Sequence, residues 1–238
     1  MSFHVHWPAI LLQIARRMTA RVSETDKSVD PRVVRSRKAI LTAASEHFLR
    51  DGYVSANVDA MAELARVSKR TVYNIFGSKE QLFRELMADA LATAEEFAME
   101  TSATLEDATE LEPSLREVAA RLAGTVLEPG ILSLRRLLIS EAERFPDVAR
   151  DYYERAPGRV LKMLAQALRR FTERGLLSAT QPRIAAEHFA FLVMGAPLDR
   201  ALFSDSKGLP SQRELDKQVA AGVAAFLRAY APGHVERR

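Results

Sequence analysis

Signals that begin and end helices recur along almost the whole chain, and they limit the fold more than any other feature. Asp30-Pro31 joins a capping acid to a proline whose missing N–H costs nothing at the start of a helix, and Gly52 fits the left-handed residue that closes one. No segment alternates between apolar and polar residues as a half-buried strand does, and internal repeats are absent. The sequence therefore predicts an all-α fold with about nine helices, a group of three followed by six more.

The breaks between helices also predict how the chain divides into domains. Its 238 residues, 47% of them hydrophobic, suffice for one small and one medium-sized core. The predicted segments are an extension over 1–29, a three-helix domain over 30–78, a larger six-helix domain over 79–232 and a tail over 233–238.

Composition excludes several classes of protein. No segment approaches the roughly 18 uninterrupted apolar residues of a membrane span, and no apolar run precedes a cleavage site typical of signal peptides. The absence of cysteine removes disulfides, thiolate zinc sites and cysteine nucleophiles. We therefore expect a soluble, cytoplasmic protein that does not contact a membrane.

Positive charge is concentrated near the amino terminus. Residues 31–80 hold nine Lys and Arg against five Asp and Glu, an excess larger than the +3 of the whole chain. This excess is compatible with binding to a polyanion. Charge alone leaves an ordinary mixed-charge surface as the alternative.

Two short helices follow the first helix and are separated by a tight break, an arrangement typical of a helix-turn-helix. Asn57 can cap the second helix, and Ser68 can cap the third, which extends to Phe76. A helix of about two turns is marginal in isolation, so Val72, Ile75 and Phe76 must hold it by packing. The polar side chains left on its outer face are hydrogen-bond donors suited to phosphates and base edges, and such a helix can lie in the major groove of DNA.

Within this region the sequence resembles the DNA-binding domain of the TetR family over residues 33–95 without a gap. The resemblance is carried by residues 37–44, Phe48, Gly52-Tyr53 and residues 58–62, 67–76 and 79–83. The run from Ser68 to Leu82 resembles the signature S-K-x-T-[LV]-Y-x-x-F-x-[SN]-K-x-x-L.

The resemblance implies a role for each polar residue of this region. Tyr73 would donate its hydroxyl to a phosphate, and Lys79 would contact the DNA backbone with help from the positive end of its helix. Lys69 and Arg70 are the expected base contacts, with guanine the natural partner of Arg70. The remaining expected contacts to phosphate, base edges or backbone are Ser68, Thr71, Asn74 and Asn57. For each residue taken alone, an ordinary surface role is the alternative.

Two residues depart from the family pattern. Arg66 lies in the turn where the family usually has Gly, so a left-handed backbone there would add about 1 kcal/mol of strain, which an extra phosphate contact could offset. Ala56 stands where the family commonly has a hydroxyl, which puts one backbone contact in doubt.

The second half of the chain resembles the carboxy-terminal domain of AefR-like members of the same family, chiefly over residues 134–146. The resemblance implies a homodimer formed by helices at about 181–203 and 212–231. Residues 185–202 are apolar on nearly every side, which also indicates a partner surface. Gly222 would let helices approach closely, and Pro197 is expected to kink its helix.

We also expect a cavity for an unidentified small effector, apolar or amphipathic, within the larger domain. The candidate lining residues are Phe97, Leu122, Leu138, Tyr152, Met163, Phe171 and Phe189. For any one of them the alternative is a plain core position, because aromatic residues and Met at helical spacing usually lie in the core. Glu141 or Arg135 could orient a polar end of the effector, or could be surface charges.

No arrangement of residues indicates an enzyme, a metal site or a cofactor. The five histidines form neither an HExxH motif nor a Glu-x-x-His pair, and the chain has no G-x-S-x-G and no Gly-rich phosphate loop. The sequence therefore predicts a transcriptional regulator that binds a palindromic operator in double-stranded DNA, a repressor released by its effector. The alternative is an all-helical adaptor or enzyme that keeps the fold without regulating transcription.

Overall fold

The computed structural model describes residues 30–106, 110–204 and 208–233, so the predicted extension over 1–29 lies outside the described residues. Within these ranges the regular elements are helical, which confirms the all-α fold. They are α1 (Pro31–Ser55), α2 (Val58–Leu64), α3 (Lys69–Phe76), α4 (Lys79–Glu106), α5 (Leu111–Val126), α6 (Pro129–Ser140), α7 (Pro146–Arg155), α8 (Pro157–Glu173), α9 (Pro182–Ala190), a π-helical segment (Phe191–Gly195), α10 (Ala196–Leu202) and α11 (Gln212–Ala229).

Local capping chemistry begins α1 and α11 at the positions expected from the sequence, Pro31 and about residue 212. The Asp30 carboxylate accepts from the Arg32 N–H at 2.8 Å, at the start of α1. Ser211 and Glu214 form a reciprocal capping box at the start of α11. These predictions succeed because a cap depends on residues no more than three apart.

The helices from α4 onward are more numerous than predicted, chiefly because the single helix predicted at about 181–203 is divided into α9, a π-helical segment and α10. Prolines begin several of these helices: α6, for example, starts at Pro129 and ends at Ser140, before a turn. Proline suits the first turn, where its missing N–H has no intrahelical partner. Within the described ranges, the six helices predicted after α3 are therefore eight α-helices and one π-helical segment.

The break expected at Pro197 is a change of helical register. In the π register the N–H of residue 197 would serve the carbonyl of Leu192, five residues earlier, but proline has no N–H. The Gln218 amide of α11 donates to that carbonyl at 3.1 Å instead. Gly222, one turn further along α11, lies against the backbone of residues 192 and 193 of the same chain. The close approach expected at Gly222 is therefore found inside the protomer.

The chain forms two compact units, which are described separately. The first extends to Thr93 and includes Ser133–Asp151, whereas the second comprises Ala94–Leu132 and the chain from Tyr152 onward. The first unit reaches beyond the predicted boundary at residue 78 because Phe145, which follows α6, packs with the rings of Tyr53 and Phe83, each with its ring centre 4.8 Å away. Independent folding of residues 30–78 stays a prediction.

The second unit has a continuous apolar core. Buried residues of α5, α8, α9 and α11 form it, with Phe189 and Phe226 in an edge-to-face contact at 5.1 Å between ring centres. Tyr230 caps the carboxy-terminal end of α11. Its ring stacks on Phe226, and its hydroxyl shares a hydrogen bond of 2.7 Å with His188. This core joins the last helix to the middle of the chain.

Candidate nucleic-acid interface

Packing and capping hold the short helix α3 in place. Val72 and Phe76 are almost fully buried, and Ile75 is half-buried, as the sequence predicts. The Ser68 hydroxyl caps the amino end by accepting from the Thr71 N–H at 3.0 Å. At the other end Gly77 adopts φ 76°, and its N–H donates to the Tyr73 carbonyl at 2.8 Å.

Arg37 gives α3 a further anchor that the sequence did not single out for this task. Its guanidinium lies 4.9 Å from the centre of the Phe76 ring and forms an ion pair with Glu85 of α4. A cation over an aromatic face is attracted by the ring quadrupole. Arg37 thus connects the end of α3 to α4. A partner 48 residues away cannot be found from local spacing.

The outer face of α3 carries the predicted polar side chains. Lys69, Arg70, Tyr73 and Asn74 are exposed, and Thr71 is half-exposed. Ser68 and Thr71 share a hydroxyl–hydroxyl hydrogen bond of 2.8 Å, so part of their bonding capacity is used locally. The contacts of these residues with DNA stay predictions.

The two predicted base contacts differ in their surroundings. The Lys69 ammonium donates to the Asp59 carboxylate of α2 at 2.9 Å, and this hydrogen bond raises the pKa of Lys69 above its usual range. The Arg70 side chain, by contrast, forms no hydrogen bond or ion pair with any part of the chain that the structure describes. The donors of the Arg70 guanidinium are therefore all available to a partner, whereas one of the three N–H donors of Lys69 is already used by Asp59.

Lys79 faces the protein more than its sequence position suggests. It begins α4, and its ammonium donates to the Val54 carbonyl at 3.1 Å and lies 4.9 Å from the centre of the Tyr53 ring. Desolvation by this half-buried position lowers the pKa of Lys79. An ammonium has three N–H donors, so a phosphate contact remains chemically open and stays a prediction.

The turn before α3 and the start of α2 contain three further residues of interest. Asn57 is exposed and caps α2 by accepting from the Asp59 N–H at 2.8 Å, as predicted. Ala56 is buried, so a side chain at that position faces the core. Arg66 is exposed and has φ 56°, which confirms the left-handed backbone considered from the sequence.

A surface groove of about 380 Å³ lies between α1 and the end of α2 in the first unit. Arg35, Lys38 and Glu46 supply its charged lining, and Leu64 is the exposed apolar residue at its edge. Sequence reasoning missed this groove, because it depends on how α1 and α2 cross.

The predicted effector-binding residues occupy different settings. Leu122, Phe171 and Phe189 are buried in the one core of the second unit, which favours the packing alternative for them. Leu138 is buried in the first unit, and Tyr152 and Met163 are half-buried in the second. Phe97 lies outside the residues whose side chains the structure describes. The effector site therefore stays a prediction.

The charged groups considered for orienting an effector lie in the first unit. Glu141 is buried, and Arg144 donates to its carboxylate at 3.2 Å. Arg135 is half-buried. Glu141 thus has an internal partner that offsets the energy required to bury its charge.

The residues that the structure describes contain neither a metal-binding cluster nor a membrane-spanning helix. No group of three or more His, Asp or Glu side chains within these ranges is placed to hold a metal ion. None of the helices there combines the length and apolar character that crossing a membrane requires.

Comparison with known families matches both parts of the chain. Residues 40–86 match the profile of bacterial regulatory proteins of the tetR family. Residues 113–232, about half of the chain, match the carboxy-terminal domain of AefR-like transcriptional repressors.

Individual relatives agree with these profiles. The chain is 31% identical over 112 residues to the HTH-type transcriptional repressor AcnR of Corynebacterium efficiens, a match that covers 47% of this chain and 45% of AcnR. The matches to curated relatives span only 37–45% of those proteins' lengths.

Solved structures match over more of their length. A TetR-family regulator from Mesorhizobium loti is 32% identical, with a TM-score of 0.75, over 85% of this chain and 100% of that one. The flavonoid-responsive regulator FrrA is 28% identical, with a TM-score of 0.61, over 84% of this chain and 98% of that one. With profiles matching both halves and a relative aligned over its whole length, the chain belongs to the tetR family of bacterial regulatory proteins.

Proposed function

We propose that the protein is a sequence-specific DNA-binding transcriptional repressor. The observation that carries this proposal is the exposed polar face of α3, formed by Lys69, Arg70, Tyr73 and Asn74 on a helix capped at its amino end and buried on its opposite side. Family membership favours a regulator over an enzyme, and the AcnR relative is named a repressor. In this proposal α3 enters the major groove, Arg70 contacts a base and Tyr73 donates to a phosphate.

The test starts from an operator enriched from a pool of random duplexes with the wild-type protein. We expect Tyr73→Phe to weaken binding to all duplexes alike, and Arg70→Ala to weaken binding and also relax the preferred sequence. Arg169→Ala is the matched control, because Arg169 is an exposed arginine of α8 paired with Glu173. If the wild-type protein enriches no sequence and shows no measurable binding to any duplex, the proposal is wrong.

We further propose that the protein acts as a homodimer. Support comes from apolar side chains that remain exposed on the helices predicted to pair: Phe191 is 73% exposed and Phe203 is 88% exposed. Exposed aromatic residues are typical of interface anchors. A dimer would present two copies of α3 to half-sites about one helical turn apart in a palindromic operator.

Sedimentation at several protein concentrations tests the dimer. We expect Phe191→Asp to shift the population to monomers, because it places a charge in an apolar interface. Ile139→Asp is the control, since Ile139 is 63% exposed but lies on α6 in the first unit. A monomeric wild-type protein, or a dimer that tolerates Phe191→Asp, contradicts the proposed interface.

A small organic effector is the last part of the proposal. Its support is the family pattern and the relative FrrA, whose name describes a flavonoid-responsive regulator. Titration of the protein–operator complex with a panel of flavonoids and medium-chain fatty acids tests this idea. Release of DNA at a saturable concentration supports it, with a weakened response expected in Met163→Ala, a half-buried candidate. Unchanged operator affinity across both panels contradicts it for those compounds.

A further inference from the structure

Arg66 occupies a backbone position that disfavours arginine. The N–H of Val67 donates to the Ala62 carbonyl and the N–H of Arg66 donates to the Glu63 carbonyl, both at 3.0 Å. This pair of bonds is the Schellman pattern that ends a helix, and Arg66 holds its left-handed position, with φ 56°. Glycine is common there because a Cβ in the left-handed region crowds the neighbouring carbonyl. The chain keeps arginine despite that strain.

The Arg66 side chain has no partner among the residues that the structure describes. It is exposed, and it makes no hydrogen bond or ion pair with the residues that the structure describes. Other cations of the first unit are engaged: Lys69 with Asp59, and Arg37 with Glu85. Backbone strain maintained without an internal contact is typical of functional positions.

The position of Arg66 next to α3 indicates what it contacts. Lys69 is three positions further along the chain, so the two Cα atoms are at most about 11 Å apart. Both residues lie beside the amino end of the helix proposed to enter the groove. A planar guanidinium matches the oxygens of a phosphate. We propose that Arg66 is a DNA-backbone contact of this protein that binds a phosphate flanking the bases contacted by α3. This inference rests on the proposed DNA-binding function.

Three substitutions separate the charge from the backbone strain. Arg66→Gly removes both the charge and the strain. Arg66→Gln removes the charge but keeps a side chain on the left-handed backbone, and Arg66→Lys keeps both the charge and the strain. Lys162→Gln, at an exposed cation of α8 in the second unit, is the control. Far-UV circular dichroism and the thermal midpoint show that each variant folds.

The measurement is the affinity for a mixed-sequence duplex of about 30 base pairs as the KCl concentration rises, which needs no known operator. Each lost phosphate contact makes the slope of log K against log salt less steep by about 0.9. The affinity of such a variant then falls about 3.5-fold less than that of the wild type between 50 and 200 mM salt. We expect this loss per protomer in Arg66→Gly and Arg66→Gln, and the wild-type slope in Arg66→Lys and Lys162→Gln. The thermal midpoint of Arg66→Gly should equal or exceed that of the wild type, because its strain is relieved.

The outcomes distinguish this inference from the function on which it rests. If the wild-type protein binds the duplex and the slopes of Arg66→Gly and Arg66→Gln match it, Arg66 contacts no phosphate and the inference is wrong while the proposed function stands. If the wild-type protein binds no duplex at all, both are wrong. A lower thermal midpoint for Arg66→Gly would show that arginine has a folding role and would overturn the argument from strain.

Discussion

Gly222→Ala should destabilise the protein, although alanine is the better helix former. A Cβ added at Gly222 would lie 2.5 Å from the carbonyl oxygen of Leu192, 2.8 Å from its carbonyl carbon and 2.9 Å from the Cα of Val193. These are backbone atoms, so no change of rotamer can relieve the contact. The substitution must therefore separate α11 from the π-helical segment.

The magnitude follows from two opposing effects. Overpacking a tight core costs about 1–3 kcal/mol, and a rigid backbone obstacle places Gly222 at the upper end of that range. Replacing glycine by alanine inside a helix returns about 1 kcal/mol. We therefore expect a net loss of about 2 kcal/mol in the free energy of unfolding. Separation of the two elements would also weaken the hydrogen bond from Gln218 to the Leu192 carbonyl.

Gly124→Ala provides the matched control. Gly124 is an exposed residue of α5, and a Cβ there would meet nothing within 4 Å. This variant should gain up to about 1 kcal/mol from helix propensity alone. Urea unfolding followed by far-UV circular dichroism, at one fixed protein concentration because a dimer's stability depends on it, compares the variants. If Gly222→Ala is as stable as the wild type while Gly124→Ala is stabilised, the proposed close packing does not exist.

Three further perturbations test the first unit. Ser68→Ala removes the cap of α3 and should cost about 1 kcal/mol in urea unfolding; an unchanged midpoint would show that the cap contributes nothing. Phe145→Ala should cost about 3–5 kcal/mol, because this buried ring contacts two other aromatic rings; a loss typical of a surface position would contradict its role in the core. The hydrogen bond from Arg84 lowers the pKa of Asp147 below 3.8, so its contribution to stability is present above that pH and is lost as the pH falls through the lower folded-state value. The urea midpoints of Asp147→Asn and the wild type should therefore differ near neutral pH and converge in acid, and a constant difference would contradict the ion pair.

The sequence predicts the local features of the DNA-binding region well. The caps at Asn57 and Ser68 and the buried side of α3 agree with the structure, and the left-handed backbone that the family pattern raised for Arg66 is found there. Each depends on residues within one or two helical turns, where hydrogen-bond chemistry and steric limits on φ act directly. The same signals at Ser211 and Glu214 place the start of the last helix.

Contacts between distant residues were beyond the sequence. Lys69 forms an ion pair with Asp59, and Lys79 donates to the Val54 carbonyl. Each interaction reduces the number of free N–H donors on a residue predicted to contact DNA. Spacing along one helix cannot reveal either, because each joins side chains or backbone of different elements. The packing of Phe145 with Tyr53 likewise extends the first unit beyond its predicted boundary.

The amino-acid sequence by itself determined that the chain is helical, where most helices begin and which residues of α3 are polar, because these properties follow from short-range propensity and periodicity. Tertiary structure alone decided that the Arg70 side chain has no partner within the described ranges while Lys69 is paired with Asp59, and that Gly222 serves a contact inside the protomer. The physical reason is that a free charge and a tight contact are both defined by the neighbours that packing brings together from far along the chain.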